Sequence, residues 1–223
     1  MSVRAQIGAV VVKDVRSEVR NRYAINALVM FVVTAVATIL FALRSEQPGP
    51  ATLAGMYWVV IFFSAMSGLA RIFVSEEERG TALTLQLTTS PGILFAGKLA
   101  VNTGLTLLLT LSVSALYIVT FPGFVIRSPD IFALTVLLGS IGFSASATIL
   151  AAIIAKANSR GTLYPVLSFP ILIPLLMTVM NATEKALEGA AFIEAVGDMQ
   201  VLVGYCLIMI AGSFLLFDYV WND

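Results

Sequence analysis

Six long apolar runs, at about residues 25–43, 51–74, 93–121, 131–155, 162–180 and 199–217, fill most of the chain, and charge falls almost entirely between them. Each run reaches the length of about 18–20 residues that crosses a hydrocarbon core of about 30 Å. In lipid every backbone N–H and C=O must be satisfied inside the segment, so such a run crosses as a helix. The pattern predicts an all-α integral membrane protein with six transmembrane helices, in a single domain over residues 1–223.

The stretch before the first run has a different period. Val3, Ile7, Val11, Val15 and Val19 recur every four positions, while Arg4, Lys13, Arg16, Glu18 and Arg20 take other faces. That spacing predicts an amphipathic helix over residues 1–22, lying in the membrane interface. The stretch lacks the short apolar core and small-x-small site of a cleavable signal, so the first span reads as a permanent anchor.

The connections differ in kind. Gln47-Pro48-Gly49-Pro50 is turn chemistry and makes the first two spans antiparallel neighbours. Pro122-Gly123 and Ser128-Pro129 bracket a second short connection on the same side. The third on that side, about 181–198, reads as longer, with a short helix capped by Asn181 and Glu184. Within the spans, Ser64 and Gly68, Ser140 and Ser144, and Gly142 and Ser146 are small-xxx-small pairs that let helices approach closely. Pro165, Pro170 and Pro174 interrupt the fifth run. Each removes a backbone donor and crowds the carbonyl four residues back. The fifth span is therefore expected to be bent or locally unwound, as a hinge or cavity-lining element or as a static kink.

Basic residues orient the bundle. Arg4, Lys13, Arg16, Arg20, Arg22, Arg71, Arg79, Lys98, Lys156 and Arg160 flank one side, and Arg44, Arg127 and Lys185 the other. The excess marks the cytoplasmic face, so both termini are expected inside. Net charge is zero, which gives nucleic-acid binding no electrostatic support. Histidine is absent, and with it the commonest metal ligand and general base. Cys206 lies inside the last run and reads as a small buried hydrophobe. Lys98, one turn into the third span, is expected to snorkel to the interface. No ionisable relay is visible at mid-membrane, so any transport is expected to draw its energy from a partner.

The most specific polar segment joins spans 2 and 3: Ser75-Glu76-Glu77-Glu78-Arg79-Gly80-Thr81, then Leu83, Leu85 and Leu87 at alternate positions, then Ser90-Pro91-Gly92. Ser75 and Glu78 have capping-box spacing, and three carboxylates in a first turn suit the helix dipole. The carboxylates are expected to face the surface. Spacing alone fits two readings equally: a projection docking into another protein's groove, or a solvated loop held by its own cap.

Taken in order, several short motifs resemble the haem exporter protein B (CcmB-type) family. Lys13-Asp14-Val15-Arg16-Ser17-Glu18-Val19-Arg20 is similar to its opening K-D-L-x-x-E-x-R, and Glu76, Glu78 and Gly80 to its E-x-E-x-G signature after span 2. Ser90-Pro91, Gly97-Lys98-Leu99, the proline-rich fifth span and Phe217-Asp218-Tyr219-Val220 follow in the family's order. Thr84 departs from it, standing where the family often has an acid.

The resemblance implies the permease half of a type 2 ABC exporter in a bacterial inner membrane, with the N-terminal helix as its elbow. It implies a separate cytoplasmic ABC ATPase subunit, a second copy of the chain, a haem-handling membrane protein, a small single-span subunit and a periplasmic haem chaperone as partners. Haem would be the cargo of cytochrome c maturation, ATP would be used by the partner, and no cofactor would be bound by the chain itself. Ser75, Glu76, Glu77, Glu78, Arg79, Gly80, Leu83 and Leu85 would then couple to the ATPase. The chain has no G-x-x-x-x-G-K-[ST] phosphate loop, so it is expected not to be catalytic alone. Met66, Met177, Tyr57 and Tyr164 are the residues able to approach iron or porphyrin, though packing or lipid-facing roles are expected for them. The same physics also suits an ABC permease for a lipid, drug or polysaccharide, or a membrane scaffold.

Overall fold

The computed structural model describes residues 3–20, 22–43, 48–69, 76, 80–81, 85, 87–155 and 160–222. Among the described residues, seven long helices follow in order: α1 Val3–Arg20, α2 Arg22–Leu43, α3 Pro50–Leu69, α4 Pro91–Thr120, α5 Pro129–Ala155, α6 Arg160–Glu188 and α7 Phe192–Asn222. No strand occurs among the described residues. Three helices open on proline, at Pro50, Pro91 and Pro129. A proline at the first helical position gives up an N–H that had no partner and brings a φ already set for the helix.

Among the described residues, five segments are long and apolar enough to cross a membrane: Ile25–Leu43, Pro50–Gly68, Pro91–Thr120, Pro129–Ala155 and Phe192–Trp221. They coincide with five of the six expected runs. The fifth run lies in α6, which is helical from end to end of its 29 residues. Local unwinding at the prolines is thus not what the chain does. Tyr205 of α7 donates to the carbonyl of Ile171, three residues before Pro174, at 3.0 Å, and shares a 2.8 Å bond with Ser146 of α5. The Ile171 carbonyl, adjacent to the Pro170 carbonyl that loses its N–H partner at Pro174, thereby gains a bond from a neighbouring helix.

The centre of the bundle is α5, whose small residues let α3, α6 and α7 close on it. A Cβ on Gly139 would meet Trp58 at 2.7 Å and Val179 at 3.1 Å, and one on Gly142 would meet Leu175 at 2.9 Å. Ser140, Ser144 and Ser146 are buried beside them. At the periphery, α2 exposes Val29, Met30 and Phe41, and α7 exposes Leu207, Ile208 and Leu215. Such faces suit lipid.

At the end of the bundle away from the α3–α4 link, the loop 121–128 folds inward. Phe124 is buried, with its ring 5.3 Å from those of Tyr57 and Tyr117. Tyr57 and Ser114 share a 2.7 Å bond, and Trp58 donates to Thr183 at 2.8 Å. The backbone N–H groups of Arg127 and Ser128 both reach the carbonyl of Ala186.

The longer connection expected at 181–198 is absent. Helix α6 continues to Glu188, Gly189 turns the chain at φ +83, and α7 begins at Phe192. Asn181 caps nothing; it donates from within α6 to Asp198 of α7 at 2.8 Å, beside the Lys185–Asp198 pair at 2.7 Å. An asparagine with a glutamate three residues on reads as a cap only when nothing across the helix claims its amide.

Candidate functional site

Helix α1 lies on the start of α4 through Ile7, Val10, Val11 and Asp14, the spacing of one helical face. Only part of the expected stripe faces inward, since Val3 and Val15 are exposed. Close approach is permitted by Gly97, where a Cβ would stand 2.6 Å from Val10 Cγ1 and 2.8 Å from Val10 Cβ. The next residue, Lys98, is therefore pinned beneath α1. It is 1 % exposed.

Lys98 does not snorkel. Its Nζ lies 2.9 Å from Glu76 Oε1 and 3.1 Å from Asp14 Oδ2. Lys13 Nζ bonds the same Glu76 oxygen and lies 3.2 Å from Asp14 Oδ1. Two carboxylates and two ammonium groups close into a neutral ring that joins α1, the link and α4. A buried lysine in a membrane protein needs such partners, because an unpaired charge in that medium is costly.

Glu76 is correspondingly not surface-facing, against the expectation from spacing; it is 7 % exposed. Its other oxygen, Oε2, accepts from the hydroxyl of Thr81. Burial pushes its carboxyl upward, but the charge of Lys98 and the bonds from Lys13, Thr81 and Lys98 outweigh it and hold the group down to about 2. On Lys13, burial pulls downward and is outweighed by the bond to Glu76 and the charges of Asp14 and Glu76, which leaves the ammonium above its ordinary value.

The backbone after Glu76 explains the glycine. Gly80 sits at φ +67, and the N–H of Thr81 returns to the carbonyl of Glu76 at 3.0 Å. That is the six-to-one bond of a Schellman cap, with glycine at the left-handed position. The chain then resumes i→i−4 bonding: Leu85 N–H to Thr81 O, and Thr89 N–H to Leu85 O. Leu85 turns inward against the core, while Leu87 is 85 % exposed. Of the residues expected to dock a partner, Ser75, Glu77, Glu78, Arg79 and Leu83 lie outside the described residues. Gly80 is exposed, and Glu76 and Leu85 face the protein interior.

From Lys98 a buried polar row runs along α4 at every fourth residue: Asn102, Thr106, Thr110 and Ser114. The row is about 24 Å long at 1.5 Å per residue. Asn102 Nδ2 donates to Thr148 of α5 at 2.8 Å, Thr103 and Ser144 share a 2.7 Å bond, and Ser140 donates to Thr110 at 3.3 Å. These bonds tie α4 to the central helix, beginning one turn beyond the charge ring.

Pro170 and Pro174 are placed in α6, and at Pro165 the backbone is helical. Tyr57 and Met66 are packed in the core, Met177 is 67 % exposed, and the side chain of Tyr164 lies outside the described residues. Among the described residues no group of three or more His, Cys, Asp or Glu side chains could hold a metal ion.

A model of the CcmB protein family matches residues 5–216. No curated protein matches the chain.

Proposed function

The chain belongs to the CcmB protein family, whose members are the membrane subunits of haem exporter ABC transporters, and we propose that it passes force from a separate ATPase into its own bundle. In this reading the chain spans a bacterial inner membrane six times, α6 being the remaining span, with both termini in the cytoplasm and α1 as an interfacial elbow. The ten-to-three division of basic residues supports that orientation.

The ATPase subunit docks on the link between α3 and α4, with Leu87 as the apolar residue it covers. Leu87 is 85 % exposed, and among the described residues none covers it. The observation that carries the proposal is the charge ring. Lys13-Asp14, Glu76 and Lys98 come from three separate motifs and meet at one point. A push on the link is delivered through Glu76 to α4 and, by Asn102, to α5. Neither α1 nor α4 can follow it independently.

Haem, in this proposal, is held by a haem-handling membrane partner and passed to a periplasmic chaperone, with a small single-span subunit in the assembly. Two copies of the chain work with two ATPase subunits. The proline helix α6 lies against α5 and is the element that moves.

The test is the ATPase rate of the reconstituted complex with Leu87→Asp in the membrane subunit. Loss of the membrane-stimulated rate at unchanged thermal stability is expected. An unchanged rate, or labelling of a cysteine at position 87 from the periplasmic side only, overturns the docking assignment. A stoichiometric low-spin haem spectrum from the purified chain alone overturns the assignment of haem to a partner.

A further inference from the structure

Asn102 is buried, and only half of its amide is used. Thr148 fixes which half. The Thr148 hydroxyl gives its proton to the carbonyl of Ser144 at 2.6 Å, so toward Asn102 it can only accept, and it takes Nδ2 at 2.8 Å. Oδ1 is therefore turned the other way. It is buried as well, and among the described residues no donor reaches it. A buried acceptor left without a donor is costly. Thr106, one turn further along α4, cannot supply one, because its hydroxyl donates to the Asn102 carbonyl.

One turn back on the same face stands Lys98. Its ammonium carries three protons and rests against Glu76 of the link and Asp14 of α1. The two anions differ in their footing. Asp14 belongs to a long helix packed on α4, whereas Glu76 belongs to the segment between α3 and α4. A pull on that segment draws Glu76 away and leaves Asp14 in place.

We propose that Asn102 Oδ1 is the reserve acceptor for Lys98: when the link withdraws Glu76, the ammonium takes the amide oxygen in its place, with Asp14 remaining as the counter-charge. This exchange rests on the link being the element that the ATPase moves, as proposed above. The order of the two residues suits a reserve. A cation four residues before its acceptor is the weaker arrangement on a helix, so the carboxylate holds Lys98 whenever it is present. Asn102 is then a positioning residue. The amide that receives Lys98 also holds α5 through Thr148, so the exchange is felt at the central helix.

Thermal midpoints of the purified full chain test the exchange without the ATPase. Asn102→Leu removes both ends of the amide, and Thr148→Val removes only the bond to α5. In the parent the two variants should shift the midpoint alike. In a Glu76→Ala background Asn102→Leu should shift it about threefold more than Thr148→Val, since a bond to an ammonium, about twice as strong as one between neutral groups, is lost in addition. Asn102→Asp returns the carboxylate that Glu76→Ala removes, so it should raise the midpoint in that background and lower it in the parent. Equal shifts in both backgrounds, or no rescue by Asn102→Asp, overturn the reserve role. If Glu76→Ala does not fold, Glu76→Gln, which keeps a weaker neutral acceptor, takes its place with the same deciding outcomes. The ATPase rate of the reconstituted complex is read separately. Midpoints that show the exchange, with a rate that Asn102→Leu lowers no more than Thr148→Val, would keep the reserve acceptor and sink the force path through the link.

Discussion

Lys98 Nζ lies 2.9 Å from Glu76 Oε1, though the two residues are 22 positions apart and belong to different elements. Both are shielded from solvent, so each is the other's main source of solvation. Removing one member strands the other in an apolar setting, which typically costs about 3–5 kcal/mol. Lys98→Met and Glu76→Gln should each lower the thermal midpoint of the purified protein strongly. The double variant should cost less than their sum. Simple additivity in that cycle would show that the pair does not interact.

Acid should loosen the same ring. The Glu76 carboxyl is held at about 2 against an ordinary 4.5, so its contribution is complete above 4.5 and disappears as the pH falls toward 2. Lys13 is raised above 10.5, so its share is complete below that value and is lost as the pH rises through its folded value. Stability measured against pH should therefore drop on the acid side with a slope that Glu76→Gln removes. A slope unchanged in that variant would assign acid sensitivity elsewhere.

Gly97 sets the distance between α1 and α4. Any side chain there strikes Val10, including its Cβ, which cannot rotate away. Gly97→Val should cost about 1–3 kcal/mol, the usual penalty of overpacking. Adding Val10→Ala should recover part of the loss. Failure of that second substitution to help would mean that the helices do not touch at this point.

Tyr205→Phe removes the hydroxyl that serves both Ser146 and the carbonyl of Ile171. Interhelical hydrogen bonds in membrane bundles are worth about 0.6–1.7 kcal/mol, and the stability loss should lie in that range. Amide exchange should quicken in α6 around residues 171–175 more than in α4. Uniform exchange across the bundle would show that the tyrosine has no local role at the proline helix.

The spans were legible because continuous hydrophobicity over some twenty residues needs no tertiary information to be read. The prolines of α6 were equally visible, but the tyrosine from α7 that supports the helix was not. The charge ring was half legible. Lys13-Asp14, Glu76 and Lys98 each stood in a recognisable motif, yet spacing placed the carboxylates on the surface and sent Lys98 toward the interface. What was missing is long-range: the link folds back so that Glu76 reaches α4. A lysine inside an apolar run of a chain with few charges was the available signal, since burial there demands an acid nearby. The connection at 181–198 misled for a similar reason. Asn181 and Lys185 look like surface residues until Asp198 is placed opposite them.

The hydroxyl row of α4 bears on how the bundle is built. Thr106, Thr110 and Ser114 each donate to the carbonyl four residues before them, at 2.8, 2.8 and 2.7 Å. These side chains arrive in the bilayer with their own acceptors and ask nothing of a companion. Asn102 differs, since its amide waits for Thr148. In that row Asn102 is thus the donor that α4 cannot satisfy from its own backbone, and its pairing has to await the arrival of α5.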